Sequence, residues 1–157
     1  MYRKILLAFT VAIGLVSTLT ATAHAQNSSS TSAGEVKVTV TGVRNGRGRL
    51  RVEVWNKADG FPKKNENALK FVWIDASSAV NGTVTTTFSG LAPGVYAFST
   101  MHDENSNGKL DTNMVGMPKE GWATSSKTVS RMHPPTFEES KVEVPADGTI
   151  VTLALHY

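Results

Sequence analysis

The fold class follows from the segment Glu35-Val36-Lys37-Val38-Thr39-Val40-Thr41, in which every second residue is a valine. Successive side chains of a β-strand point to opposite faces, so this spacing places the valines together on one face. Residues 44–48 separate this segment from a second one with the same alternation, Arg49-Leu50-Arg51-Val52-Glu53-Val54-Trp55. We predict that the two segments pair as a β-hairpin, with the arginines of residues 44–51 at its solvated tip.

Five further segments are rich in β-branched and aromatic residues and predict five more strands, over residues 69–75, 83–88, 95–101, 137–144 and 149–156. Helical periodicity is almost absent. Seven short strands predict an all-β protein, an antiparallel seven-stranded β-sandwich of transthyretin-like or immunoglobulin-like type. Residues 114–135 carry three prolines and are expected to be irregular. Loops of that length inside a compact domain tend to be functional.

The aromatic residues are expected to fill the core and cover its edges. Phe61, in the loop over residues 57–68, is predicted to plug a sheet edge, and Tyr96 is predicted to form a tyrosine corner after Pro93-Gly94. Trp55 and Trp122 are either exposed platforms for a ligand or covers for the sheet edge, and the second interpretation is favoured. The aromatic residues predicted to lie in the core are Phe71, Trp73, Phe88, Phe98 and Phe137.

Residues 1–25 have the features of a secretory signal peptide. Arg3 and Lys4 precede an apolar run over residues 5–16, and Ala23-His24-Ala25 supplies the small residues for cleavage before Gln26. The run is too short to span a bilayer, which requires about 20 apolar residues, so a retained anchor is the less favoured alternative. We expect a flexible polar leader over residues 26–34 and a single domain over residues 35–157, exported to the periplasm or secreted.

Composition excludes several classes of site. The chain has no cysteine, which rules out disulfides, thiolate metal ligands and a cysteine nucleophile. It has 16 lysines and arginines and 13 acidic residues. Loss of Arg3 and Lys4 with the signal peptide leaves 14 against 13, a net charge of +1. The mature domain therefore lacks the clustered basic face that nucleic-acid binding requires.

The acidic segment over residues 102–113 contains the pattern Asp-x-Asn-x-Asn-Gly-x-x-Asp. A loop with alternate oxygen-bearing side chains and a glycine at position six directs several oxygens at one hard cation, usually Ca²⁺. The predicted ligands are Asp103, Asn105, Asn107 and Asp111 by their side chains, and Lys109 by its backbone carbonyl.

The EF-hand pattern is incomplete here, because Met114 occupies the position of the final bidentate glutamate. Glu120 could fold back to supply that carboxylate, or Glu104 could contribute. With only two carboxylates in the loop, affinity for calcium should fall in the roughly 0.1–1 mM range of extracellular modules. The alternative is that the asparagines and aspartates only build turns, in which their side chains bond to local backbone groups.

Two catalytic alternatives are less favoured, a metal-assisted hydrolase and a serine hydrolase. His102, Asp103 and Glu120 could form a metal-assisted hydrolytic site, and His133 could join them around zinc or copper. No HExxH or similar close spacing supports this, and no serine lies in a Gly-x-Ser-x-Gly motif. The hydrolase therefore remains an alternative, and we favour a protein that is not an enzyme.

Four distinctive motifs extend over most of the predicted domain. They are Phe88-x-x-Leu91-x-Pro93-Gly94-x-Tyr96-Ala97, the segment His102-Asp103-Glu104-Asn105-x-Asn107-Gly108-Lys109-Leu110-Asp111, then Gly116-Met117-Pro118-x-Glu120-Gly121-Trp122, and Pro134-Pro135-x-Phe137-Glu138. Together they resemble an uncharacterised bacterial family of small exported proteins, domain-of-unknown-function family 2141. The resemblance implies a β-sandwich and export, with no established activity. The chain departs from the family at Ala123-Thr124-Ser125-Ser126, where a Gly-Phe-Ser-Asn-like segment is usual.

We therefore expect an exported, non-enzymatic β-sandwich that acts as a binding or accessory module, with Ca²⁺ as its only cofactor. Its partner would be a protein, peptide or carbohydrate, and neither nucleic acid nor a membrane-spanning segment is expected after signal cleavage. The alternatives are the hydrolase described above and a purely structural periplasmic domain.

Overall fold

A computed structural model describes residues 34–128 and 133–157, so the expected signal peptide and the leader up to residue 33 lie outside the described residues. The described part of the chain has eight β-strands and three short 3-10 helices, Asn65–Asn67, Ala76–Ser78 and Glu138–Ser140. The strands are β1 (Gly34–Thr41), β2 (Arg49–Trp55), β3 (Lys70–Asp75), β4 (Thr83–Leu91), β5 (Gly94–Asp103), β6 (Gly121–Thr124), β7 (Val142–Val144) and β8 (Thr149–Ala154). The all-β prediction is confirmed.

The strands form two sheets. One has three strands in the order β4-β1-β8, and the other has the order β3-β2-β5-β6, with β7 paired to the beginning of β5. The predicted hairpin between β1 and β2 is wrong, because these strands lie in different sheets. Alternation reveals that each strand has one apolar face, but not which strand it pairs with. The sandwich is also not wholly antiparallel, since β1 and β8 run parallel.

The main core lies between the two sheets. Val36, Val38 and Val40 of β1 are fully buried, and they form one cluster with buried residues of β2, β5 and β8. Full burial of each valine stabilises the fold by about 1.5–3 kcal/mol relative to exposure. The two alternating segments therefore act as predicted on their apolar faces, but across the sandwich rather than side by side.

A smaller cluster lies on the outer face of the second sheet, around Trp55, Ala97 and Phe137. The Phe61 ring packs edge-on to Trp55 and to Phe137, with ring centroids 5.3 Å and 5.9 Å apart. Trp55 is fully buried, and its Nε1 donates a hydrogen bond of 2.9 Å to Ser99 Oγ. Phe61 is therefore the predicted plug, and Trp55 is a covered residue rather than a platform.

The prediction that Phe71 and Trp73 lie in the core is wrong. The side chains of β3 are apolar on both faces, so the sequence pattern does not reveal which face is buried. The register pairs Val72 with Val52, a core residue, which turns Phe71 and Trp73 to the outer face. There Phe71 is 52% exposed, and the guanidinium groups of two arginines stack on the two rings.

Two other details differ from prediction. The stretch over residues 114–135 contains strand β6, and the segment over residues 137–144 begins with a 3-10 helix before β7.

The predicted tyrosine corner is confirmed, because Tyr96 donates a hydrogen bond of 2.8 Å to the carbonyl of Ala92. None of the helices in the described ranges has the length and apolar character needed to cross a bilayer.

Candidate functional site: the acidic loop and its tip

The acidic loop, residues 104–120, connects the end of β5 to the beginning of β6, which pairs with β5 in antiparallel orientation. Asp103 is the last residue of β5 and is fully buried. Its Oδ1 accepts a hydrogen bond of 2.9 Å from Asn107 N, and its Oδ2 accepts one of 2.8 Å from Gly108 N. A charged acceptor with two backbone donors is a strong anchor for the first turn of the loop.

Asn105 and Asn107 each use both ends of the amide. Their Oδ1 atoms accept backbone N–H groups, Asn105 from Asn107 N at 3.0 Å and Asn107 from Lys109 N at 2.8 Å. Their Nδ2 atoms donate to the two oxygens of Asp111, at 2.8 Å and 3.0 Å. The carboxylate of Asp111 is therefore satisfied by two amides.

Glu120 folds back over the loop, as the sequence suggested, but its carboxylate binds backbone groups. Oε1 accepts a hydrogen bond of 2.8 Å from Glu104 N, and Oε2 accepts one of 2.9 Å from Asp111 N. The side chain is buried. Glu120 therefore joins the two ends of the acidic turn, and Asp103 and Glu120 hold it from opposite sides.

The predicted calcium ligands fit a cation only in part. Asn105, Asn107 and Asp111 converge as predicted, but amide nitrogens rather than oxygens face the carboxylate. Rotating an amide by about 180° exchanges these two atoms. Asn107 N would keep its bond to Asp103 if Asn105 rotated in this way. No group of three or more His, Asp or Glu residues within the described ranges is placed to hold a metal.

Arginines from the segment before β2 surround the beginning of the loop. Arg44 Nε lies 2.5 Å from Glu104 Oε1, and Arg47 Nη2 lies 2.9 Å from Glu104 Oε2. The hydrogen bond from Arg44 is the main cause that holds the pKa of the Glu104 carboxyl below its usual value. Arg49 Nε lies 3.6 Å from Asp103 Oδ2. The prediction of a solvated hairpin tip is therefore wrong for these residues, because their guanidinium groups meet the acidic loop.

The arginine-bearing segment before β2 comes very close to the end of β5 at Gly48. This residue has φ of +66°, and a Cβ built there would lie 1.9 Å from the carbonyl oxygen of Asp103. Only glycine permits that contact. Sequence reasoning missed the contact between the arginines and the acidic loop, although the opposite charges of the two segments were a usable signal.

The residues of the hydrolase hypothesis are not brought together. His102 is fully buried on the core side of β5, since it pairs with Leu50, whereas its neighbour Asp103 pairs with Arg49 on the other face. His102 Nε2 lies 2.8 Å from the carbonyl of Arg47, so this nitrogen must be the donor. Its Nδ1 lies 2.8 Å from the hydroxyl of Tyr157.

His133 is exposed, and its Nδ1 lies 3.0 Å from the carbonyl of Pro134.

The acidic loop also carries an apolar tip that sequence reasoning did not identify as a feature. The tip comprises residues 113–117, in which Met114 is fully exposed (105%), Val115 is 81% exposed and Met117 is 54% exposed. Three large apolar residues within four successive positions of a mostly polar loop were the signal for it.

The tip is ordered by hydrogen bonds centred on Asn113. Asn113 Oδ1 accepts from Val115 N at 3.0 Å and from Met117 N at 2.9 Å. The backbone of Asn113 donates to Met117 O at 2.8 Å and accepts from Gly116 N at 3.0 Å. Below the tip, Thr112 and Pro118 form a bridge, and Lys119 N donates to Asp111 O. The tip is therefore the end of a narrow hairpin that stands on the acidic turn.

Residues 38–152 match a family described as "Uncharacterized protein conserved in bacteria", domain-of-unknown-function family 2141. The chain belongs to this family. The resemblance drawn from the motifs is thereby confirmed. In this member of family 2141, the acidic loop, the tip and the arginines that meet the loop all lie inside the matched region, whereas Tyr157 lies beyond it. No curated protein and no solved structure matches the chain.

Proposed function

We propose that this chain is an exported, non-catalytic binding module, and that the tip of residues 113–117 is the surface it presents to a partner. The observation that carries the proposal is the exposure of Met114, Val115 and Met117 side by side on a hairpin. Isolated exposed apolar residues are common, whereas a contiguous group on an ordered support is typical of an interaction site.

The hydrogen bonds that hold the tip continue through the acidic turn into the domain. The tip stands on the acidic turn, which Asp103 and Glu120 hold through backbone N–H groups. Both carboxylates are buried at the end of the second sheet. A surface that is ordered before binding loses less conformational entropy when its partner arrives, which favours affinity.

The absence of catalysis is supported by the state of the acidic and imidazole groups. A general base must reach the proton that it removes from the substrate. His102, Asp103 and Glu120 are all buried, and their acceptor atoms bind groups of the protein itself. The hydrolase alternative would require these hydrogen bonds to be broken.

The exported location rests on the sequence features of residues 1–25. Calcium is proposed as a weak modulator of the loop, since the internal amides already satisfy Asp111. Binding would turn the oxygens of Asn105 and Asn107 towards an ion shared with Asp111, and the Lys109 carbonyl would contribute.

The calcium proposal is tested by thermal unfolding of the chelated protein, with magnesium as the control ion. Calcium at ten times its dissociation constant should raise the unfolding free energy by about 1.4 kcal/mol, and the melting temperature by roughly 3–8 °C. Asp111→Asn should abolish the rise. An equal response to magnesium, or no response in the native sequence at millimolar calcium, would sink the calcium proposal.

The binding proposal is tested by photo-crosslinking in the exporting cell, without assuming a partner. A photoreactive amino acid replaces Val115, and the matched control carries it at Lys37, which is exposed on the other sheet. We expect covalent adducts, whether protein, glycan or lipid, from position 115 and not from position 37. Equal labelling at the two positions, or none at 115, would contradict the proposal.

A further inference from the structure

We propose that the partner of the tip is an anionic lipid surface, with Met114, Val115 and Met117 entering the acyl boundary and Lys109 and Lys119 lying at the headgroups. This inference rests on the proposed function and names the partner class. Four observations carry it: the hydrogen bonding of the tip backbone, the shape of the tip, the hairpin pairing below it, and the charged groups around it.

Four of the five backbone N–H groups of the tip have hydrogen-bond partners within it. They belong to Asn113, Val115, Gly116 and Met117, the Met114 N–H has no partner among the described residues, and Pro118 has no N–H group. A loop in water does not need such partners, because water supplies them. A loop that enters a lipid boundary does need them, since an unsatisfied polar group is costly in hydrocarbon.

The shape of the tip also favours a fluid partner. Met114 projects with its whole side chain free of neighbours, and a Cβ built on Gly116 would have no atom within 4 Å. A convex apolar projection requires a complementary pocket in a protein partner. A lipid interface conforms to it without one, and the flexible methionine side chains adapt to an irregular environment.

The pairing of the two hairpin strands below the tip places Lys119 at the depth of the lipid headgroups. Asn113 bonds to Met117, Thr112 pairs with Pro118, and Lys119 bonds to Asp111. Lys119 is therefore two residues below Met117, about 7 Å along an extended strand. Interfacial apolar segments enter the headgroup and acyl boundary by roughly 5–10 Å. With the tip inserted, Lys119 would reach the phosphate groups.

The charged groups around the tip leave a small positive excess, because five lysines and arginines face four carboxylates, a balance of +1. Lys109 and Lys119 are exposed, and neither takes part in an ion pair among the described residues. Among the neighbouring acidic groups, Glu104 is paired with two arginines and Asp103 with a third, whereas Asp111 and Glu120 keep their negative charges and are held by neutral amide and backbone groups. Two exposed lysines beside an apolar tip, with a slight positive excess around them, complement an anionic surface.

The first test is cosedimentation of the processed protein, isolated from the exporting cell, with vesicles. Vesicles of phosphatidylcholine with roughly 30% phosphatidylglycerol are compared with neutral vesicles. We expect reversible binding to the anionic vesicles, about tenfold weaker for Met114→Ser with Met117→Ser. Lys109→Gln with Lys119→Gln should weaken binding several-fold. Ile150→Ser, an exposed apolar residue on β8, is the matched control and should bind like the native sequence.

The second test reports insertion directly. The chain has no cysteine, so Val115→Cys places a single environment-sensitive fluorophore on the tip. Anionic vesicles should shift its emission to the blue, whereas the same label at Lys37→Cys should not respond. No binding to anionic vesicles, or binding that Met114→Ser with Met117→Ser leaves unchanged, would overturn the lipid inference. If position 115 nevertheless crosslinks to a protein in cells, the binding module stands and its partner is that protein.

Discussion

Asp103 connects the strand that precedes it to the loop that follows. Its backbone ends β5, and its two carboxylate oxygens receive the N–H groups of Asn107 and Gly108. Sequence spacing correctly singled out Asp103 as the first residue of an ordered acidic turn. That its oxygens face backbone donors follows from burial at the sheet end, which a linear pattern does not report.

Replacement of Asp103 should therefore be costly. Asp103→Ala removes a buried charged acceptor from two part-buried backbone donors, at about 1.5–3 kcal/mol for each hydrogen bond. We expect a loss of roughly 3–5 kcal/mol of unfolding free energy, measured by urea denaturation, with Asp103→Asn intermediate because one acceptor remains. Asp111→Ala is the comparison within the same loop, since its partners are exposed amides, and should lose less than about 1 kcal/mol. Equal losses at the two positions would show that burial is not the cause.

Glu53 makes the unfolding free energy depend on pH. Burial raises the pKa of its carboxyl above the ordinary 4.5, and hydrogen bonds from Ser99 and Arg51 offset only part of the effect. The folded chain then holds the proton more tightly than the unfolded chain. The unfolding free energy should therefore fall as the pH rises from 4.5 through the folded-state pKa, and then stay level in this contribution.

The check is the difference in unfolding free energy between the native sequence and Glu53→Gln, measured at several pH values. This difference should decrease as the pH rises above 4.5. Glu143→Gln, at an exposed position of β7, is the control. An increase with pH for Glu53→Gln would reverse the sign of the argument, and the ion pair with Arg51 would then outweigh burial.

At the scale of elements, the contact between the arginine-bearing segment and the acidic loop depends on Gly48. Gly48→Ala places a Cβ 1.9 Å from a backbone oxygen at a φ of +66°, so the two segments must separate. We expect a loss of at least about 3 kcal/mol, of which 1–2 kcal/mol is the left-handed strain alone.

Gly116→Ala separates the effect of left-handed backbone strain from that of the close approach. At Gly116 φ is +79°, but no atom lies within 4 Å of the added Cβ. It should lose only about 1–2 kcal/mol locally at the tip, with little change in global stability. Denaturation midpoints and hydrogen exchange of the loop measure the two effects. Similar midpoints for the two variants would remove the close approach as an explanation.

At the scale of the whole molecule, both sheets contribute to one core. Leu50 of β2 and Leu153 of β8 are fully buried in the same cluster. Leu50→Ala and Leu153→Ala should each lose about 2–5 kcal/mol and shift one cooperative transition, whereas Leu69→Ala at a half-exposed position should lose less than about 1 kcal/mol. Two separate transitions, seen by fluorescence and circular dichroism, would mean that the sheets unfold independently.

The linear pattern of residues was sufficient to predict that the chain is all-β, that residues 35–55 contain two strands with one apolar face each, and that residues 103–111 form an ordered acidic turn. These features depend on side-chain alternation and turn chemistry over a few residues, which a linear pattern contains. Three features required the complete fold: β1 and β2 lie in different sheets, Phe71 faces outward, and Arg44 and Arg47 contact Glu104. Each of these depends on contacts between residues far apart in the chain, where many pairings satisfy the same local pattern and only packing of the complete core selects one.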